Sequence, residues 1–289
     1  MKGIVLAGGT GSRLWPMTRS VSKQLLPVYD KPMIYYPIST LMLAGVRDIL
    51  LITTPADQSA FQNLLGDGSD FGISIAYAVQ QKPEGIAQAF IIGREFLNGD
   101  SCLMILGDNL FHGAGLGNQL KQILPVKGAH IFVCEVSNPN QYGILEVNSA
   151  GKPLSIEEKP LYPKSNLAIT GLYFFDELVS SIAELVEFSP RGELEITSIM
   201  SKYLEMDRLD YTKLSRGSVW LDTGTVEAIM EASTYVRVLE KRTGLNIGSL
   251  EEIALKENLI TQQELKGYLL KFGSSPYYEY LRKLVIETY

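Results

Sequence analysis

The sequence has 289 residues, 46% of them hydrophobic, and 26 basic against 32 acidic side chains give a formal net charge of −6. That length buries a large core, while an acidic surface lacks the basic footprint that non-specific nucleic-acid binding needs. Two cysteines and two histidines exclude a disulfide-dense scaffold and most structural zinc sites, and argue against histidine acid–base chemistry.

Cys102 and Cys134 each sit in an apolar run and are read as core thiols. No apolar run reaches the roughly 18 residues of a bilayer span, and Met1-Lys2 leads straight into a strand-like run, so a soluble, cytoplasmic protein with no membrane partner is expected.

In chain order, apolar runs of strand length occur at 3–7, 48–53, 73–79, 101–106 and 129–136. Between them, at 33–44, 58–65, 86–96 and 116–124, apolar residues recur every three or four positions, the spacing of an amphipathic helix. The alternation predicts an α/β fold with a Rossmann-like, mostly parallel sheet flanked by helices, and ligands at the carboxyl ends of the strands. Strand-like runs at 142–147, 154–158, 167–175 and 211–214 have no helical pattern between them, which predicts a smaller, partly antiparallel layer. After Thr225 a helical pattern runs to about Arg242, and helical segments follow at 249–257, 261–272 and 276–289. Thr261 and Glu264 have the spacing of a capping box. The expected organisation is an α/β unit over 1–225 and a C-terminal helical segment over 226–289.

The first strand is followed by Gly8-Gly9-Thr10-Gly11-Ser12-Arg13. Closely spaced glycines let backbone N–H groups approach an anion, and Arg13 places a cation at the far end; a tight strand-to-loop connection is the plainer alternative. The dinucleotide fingerprint fails, because Leu14 replaces its third glycine and Thr53-Thr54-Pro55 stands where its acidic residue belongs. A Walker loop fails too, for want of Gly-Lys-Ser/Thr. Lys23 taken alone is read as a solvated loop lysine. Asp108, at the end of the fourth strand, suits a hard cation such as Mg²⁺. Asp222, in Trp220-Leu221-Asp222-Thr223-Gly224-Thr225, reads equally as a helix cap. Gln80 offers an amide donor and acceptor that suit the imide edge of thymine or uracil, or is an ordinary polar strand end. Glu157-Glu158-Lys159 taken alone is a solvated charge cluster. His112, in an expected loop, and His130 lack metal-spaced partners and are read as structural or exposed.

The stretch from Gly8 through Leu14-Trp15-Pro16-Met17-Thr18, Ser22-Lys23-Gln24-Leu25-Leu26-Pro27-Val28 and Lys31-Pro32-Met33-Ile34 closely resembles the signature of sugar-nucleotide pyrophosphorylases. Those enzymes join a sugar 1-phosphate to a nucleoside triphosphate and release pyrophosphate. The resemblance implies that Arg13 and Lys23 bind and polarise the triphosphate, and that Gly8, Gly11 and Gln24 belong to the nucleotide cradle. It further implies that Gln80 and Gly85 read the base, as in pyrimidine-using thymidylyltransferases, and that Asp108 and Asp222 together hold Mg²⁺. On the sugar side it implies Tyr142, Gly143, Glu158 and Ile169 in the pocket, with Lys159 on the sugar phosphate. Residues to about 136 would then bind nucleotide and 137–225 the sugar phosphate.

The resemblance covers nearly the whole chain and is strongest to members that turn dTTP and glucose 1-phosphate into dTDP-glucose and pyrophosphate. A UTP-using uridylyltransferase is the nearest alternative; a nicotinamide oxidoreductase and a non-catalytic nucleotide-sugar sensor are remote ones. Related enzymes form homotetramers, and the clustered Tyr277, Tyr278, Tyr280 and Leu281 are expected to supply an oligomer interface.

Overall fold

The computed structural model describes residues 1–286, so the last three residues of the helix expected at 276–289 lie outside the described residues. The strands are β1 (Lys2–Ala7), β2 (Pro27–Val28), β3 (Lys31–Pro32), β4 (Asp48–Thr53), β5 (Ser74–Val79), β6 (Cys102–Leu106), β7 (Asn109–His112), β8 (Ala129–Glu135), β9 (Gly143–Val147), β10 (Pro153–Glu158), β11 (Leu167–Phe175), β12 (Leu209–Lys213) and β13 (Val219–Asp222). In the central sheet β6, β1, β4 and β5 run parallel in that order. Successive side chains of a strand point to opposite faces, so these apolar runs feed two cores. Val5, Ile49, Leu51, Leu103 and Ile105 face one; Ile4, Leu50, Ile52, Cys102 and Met104 face the other.

The α/β class and the helix-flanked, mostly parallel sheet agree with the sequence reading. The helices Tyr35–Leu43, Gln58–Leu65 and Leu116–Gln122 lie where expected. The pattern at 86–96 resolves into two short helices, Gln88–Ile92 and Arg94–Leu97. They meet at Gly93, where a Cβ would come within 2.9 Å of both the Ala89 carbonyl and the Ile4 side chain.

The middle strands extend the central sheet rather than forming a separate layer. Strand β11 pairs antiparallel with β6, β8 and β9, while β12 joins β8 in parallel. Two helices, Val179–Ala183 and Ile196–Glu205, stand between β11 and β12, where the sequence reading placed none. The second buries Ile196, Ile199, Met200 and Tyr203, a helical spacing present in the sequence. Of the two thiols, Cys102 is buried but Cys134 is half-exposed, because its position on β8 lies near the strand's open end.

The helix Val226–Thr243 starts at Thr225, whose hydroxyl accepts from the Ala228 N–H at 3.1 Å. It packs Ile229, Ala232 and Val236 on Leu14, Val28, Met33 and Tyr36, bracing the loop after β1. Leu250–Lys256, Gln262–Leu269 with its capping box, and Pro276–Ile286 close the chain. The aromatic cluster expected at an oligomer interface is engaged inside the protomer. The Tyr277 hydroxyl donates to the buried carboxylate of Glu251, Tyr280 donates to Glu252 at 2.8 Å, Tyr278 stacks on Phe272, and Leu281 is buried. Among the described residues no helix is long and apolar enough to cross a membrane.

Candidate active site

The loop after β1 is held from below. Gly11 takes φ +62°, a conformation that glycine adopts without strain, and its carbonyl accepts from the Leu14 N–H at 2.9 Å and the Thr18 hydroxyl at 2.7 Å. Leu14 is fully buried, so the single turn Ser12–Leu14 is anchored by one residue and exposes its neighbour Arg13. A second such turn, Lys23–Leu25, buries Gln24, whose Oε1 accepts from Ser22 Oγ at 2.7 Å, and directs Lys23 to the end of β6.

There Lys23 donates to Asp108 Oδ2. Strand β13 runs antiparallel to β7 with Asp222 opposite Asn109, which brings two acids separated by more than a hundred positions to one point. The Thr223 N–H and hydroxyl both donate to the Asp108 carbonyl, at 3.1 and 2.6 Å, locking the crossing. Asn109 Nδ2 donates to Asp108 Oδ1 at 2.9 Å, and Trp220 Nε1 donates to Asn109 Oδ1 at 2.5 Å. The helix-cap alternative for Asp222 is removed, since Thr225 fills that role.

The two carboxyls titrate apart. Burial pushes Asp108 up, but the charge and hydrogen bond of Lys23, with the Asn109 amide, outweigh it and hold the group below the ordinary carboxylate range. Asp222 is pushed up to about 6, first by burial and then by the Asp108 charge, against the pull of Lys23, Arg13 and Lys159. Among the described residues no cluster of three or more His, Cys, Asp and Glu could hold a metal. This pair is nevertheless a two-carboxylate oxygen set of the kind that holds Mg²⁺ together with waters and substrate phosphate.

Beside the pair opens a cavity of about 510 Å³ lined by Arg13, Lys23, Asp108, Asp222, Tyr142, Gly143, Glu158, Lys159 and Ile169, among others. The Tyr142 ring meets Trp220 edge-on at 5.2 Å. A Cβ on Gly143 would lie 3.0 Å from Thr197 Cγ2 and 3.3 Å from Glu158 Oε2, so glycine is what allows the backbone to pass this close to the carboxylate. Lys159 takes φ +44° and its N–H donates to the Tyr142 carbonyl at 3.0 Å, turning the chain so that both Glu158 and Lys159 line the cavity. Glu158 is raised by burial and by the charge of Glu195, opposed by Lys159 and Arg191. Arg191, which the sequence reading missed, lies 3.4 Å from Glu158 Oε1. Its loop, Ser189-Pro190-Arg191-Gly192-Glu193, carries no periodic or motif signal.

Five expected site residues do not line that cavity: Gly8, Gly11, Gln24, Gln80 and Gly85. Three of them meet next to it. A Cβ on Gly8 would fall 2.1 Å from Gln80 Oε1, and Gln80 Nε2 lies 3.4 Å from the Gly85 carbonyl. Gly85 takes φ +116° with the Leu194 backbone 2.4 Å from where its Cβ would be, so no other residue fits. Gln24 is 3% exposed, and its side chain forms part of the wall behind the loop. His112 ends β7 instead of lying in a loop, with Nδ1 2.8 Å from the Tyr235 hydroxyl. His130 pairs with the Thr212 hydroxyl at 2.8 Å, and burial lowers both rings, so neither is placed for acid–base work.

The chain is similar, at 50% identity over 285 residues and 99% of both chains, to a glucose-1-phosphate thymidylyltransferase of Mycolicibacterium smegmatis. It is 52% identical over 287 residues, again 99% of both chains, to one from Neisseria gonorrhoeae. A crystal structure from Bacillus anthracis, named for the same activity and containing a sucrose, matches 87% of this chain and 99% of its own with TM-score 0.78 and 38% identity. Residues 2–238 match the nucleotidyl transferase family, and the chain belongs to that family.

Proposed function

We propose that this protein joins dTTP and glucose 1-phosphate into dTDP-glucose with release of pyrophosphate. The observation that carries the proposal is the crossing of β7 and β13, which sets Asp108 and Asp222 side by side at one end of a cavity that also contains Arg13, Lys23 and Lys159. Two hard carboxylates of unequal basicity, flanked by cations, fit a triphosphate with its divalent cation. The thymidylyltransferase name shared by relatives spanning 99% of this chain supports the substrate pair.

In this reading the sugar phosphate oxygen attacks the α-phosphorus of dTTP in line, and pyrophosphate departs. The nucleophile is already an anion at neutral pH, so no general base is needed, in keeping with two histidines placed outside the cavity. Arg13 and Lys23 neutralise the triphosphate, and Lys159 holds the attacking phosphate against Glu158, which accepts from sugar hydroxyls. Tyr142, Gly143 and Ile169 shape the sugar pocket, and Gly8, Gly11, Gln24, Gln80 and Gly85 build the base and phosphate cradle. Catalysis is positioning and charge neutralisation. Asp108 and Asp222 would hold Mg²⁺, which when bound withdraws charge from the phosphate oxygens. The same reading has the enzyme act in the cytoplasm as a homotetramer, using apolar side chains left exposed on one helix, Val226, Met230 and Val238. Pyrophosphate release measured over a grid of dTTP, UTP and dCTP against glucose 1-phosphate and other sugar phosphates tests the proposal; the largest kcat/KM belongs to dTTP with glucose 1-phosphate.

A further inference from the structure

Beside the cavity, three side chains form a chain of hydrogen bonds with a fixed direction. Gln88 Nε2 donates to Glu84 Oε2 at 2.7 Å, and Gln80 Nε2 donates to Gln88 Oε1 at 2.6 Å. An ionised carboxylate only accepts, so Glu84 obliges Gln88 to turn its NH₂ toward it. Gln88 is then left with its oxygen toward Gln80, and a second donor, the Glu84 N–H at 3.4 Å, favours the same orientation. Gln80 must in turn offer its NH₂ to Gln88, and its remaining N–H faces the Gly85 carbonyl at 3.4 Å. Both amide hydrogens are thereby held inside the protein. Gln80 Oε1 is left on the opposite side, over the Cα of Gly8 in the cradle.

The segment that carries this chain is tied down on both sides of Gly85. Leu194 N–H donates to the Glu84 carbonyl at 2.7 Å and the Ala87 N–H donates to the Leu194 carbonyl at 3.0 Å, a two-bond bracket around Gly85. Gln80 itself is 3% exposed and its backbone N–H donates to the Thr53 carbonyl at 2.8 Å, which fixes its backbone, while the Gln88 Oε1 and the Gly85 carbonyl that face its Nε2 set which way its amide points.

We propose that Glu84 and Gln88 are positioning residues that make Gln80 a hydrogen-bond acceptor, so that the site selects a base edge carrying an N–H donor. This rests on the pyrimidine triphosphate reading above. Thymine and uracil offer N3–H to such an oxygen. Cytosine offers a bare N3 lone pair, and two acceptors then face each other in a site where the mismatch cannot be relieved by rotating the amide. The discrimination between dTTP and dCTP is thus set two side chains away from the base, by a charge.

The test is Glu84→Gln, alone and combined with Gln88→Glu. A neutral amide at 84 donates or accepts, so the direction of the chain is no longer imposed, and the ratio of dTTP to dCTP affinity falls about fivefold. The KM for dTTP rises while kcat stays within about twofold. In the double variant the carboxylate at 88 again only accepts, from Gln80 and from the new amide at 84, so the wild-type ratio returns. Calorimetric binding of each nucleotide gives the ratio without turnover. A folded Glu84→Gln protein with an unchanged ratio, or a double variant that stays unselective, overturns the inference. Wild-type protein that binds dTTP no better than dCTP overturns the thymidylyl reading instead.

Discussion

Replacing Asp222 with Asn removes one of two carboxylates held together, and stability and activity should respond in opposite directions. The folded protein raises this carboxyl from 3.8 to about 6, first through burial and then through the Asp108 charge. At about 1.4 kcal/mol per pKa unit, holding the group ionised costs at most about 3 kcal/mol, and about 1–2 kcal/mol after allowing for the solvent that reaches a part-buried side chain. Because the folded pKa lies above the unfolded one, the cost is present above pH 6 and is relieved as pH falls through 6 toward 3.8. Metal-free Asp222→Asn should therefore melt a few degrees above wild type at pH 7.5, with the gap closing by about pH 4.5. Adding millimolar Mg²⁺ should raise the wild-type melting temperature and leave the variant nearly unmoved, since binding to the folded state alone stabilises it. Differential scanning fluorimetry over pH, with and without Mg²⁺, makes the comparison. A variant that melts below wild type at pH 7.5, or a gap that does not change with pH, refutes the reasoning.

Lys23→Ala should lower kcat by about three orders of magnitude while the far-UV spectrum is unchanged, because the lysine pairs with Asp108 and, in the proposed function, neutralises the triphosphate; single-turnover kinetics check this. Gly143→Ala places a methyl 3.0 Å from Thr197 and 3.3 Å from Glu158 Oε2, so the KM for glucose 1-phosphate should rise about tenfold with the KM for dTTP unchanged in initial-rate assays. Met230→Asp puts a charge on the exposed face of the helix Val226–Thr243 and should lower the molar mass seen by light scattering, with the melting temperature of the protomer little altered.

How much of this was legible in the sequence depends on the range of the signal. The apolar runs that form β1, β4 and β6 are buried along most of their length, so each announces itself locally; β5, at the sheet edge, is only partly buried but keeps an apolar run, and the glycine loop after β1 follows from its own spacing. Strands β7 and β13 have four residues each, too few for a period, and their pairing spans more than a hundred positions; no local pattern sets Asp222 opposite Asn109. The resemblance to sugar-nucleotide pyrophosphorylases supplied that link. Arg191 was missed because its loop is polar and turn-rich, and Glu84 and Gln88 matter through the direction of their hydrogen bonds, which sequence does not express. The helix Ile196–Glu205 was within reach, as Ile196, Ile199, Met200 and Tyr203 already carry its spacing. The C-terminal tyrosines, expected at an oligomer interface, also have partners within the protomer. Clustered aromatics signal burial, and their partners Glu251, Glu252 and Phe272 belong to the same chain.

The account stands on the joint action of Asp108 and Asp222 at the crossing of β7 and β13. The most direct measurement is pyrophosphate release from dTTP and glucose 1-phosphate by wild type, Asp108→Asn, Asp222→Asn and the double variant, each titrated with Mg²⁺. Two acids acting on one metal-bound triphosphate predict that either single change lowers kcat/KM by about 10³ or more and that the double variant is little worse than the singles. Near-normal turnover in either single variant, or losses that multiply in the double, would contradict the shared site.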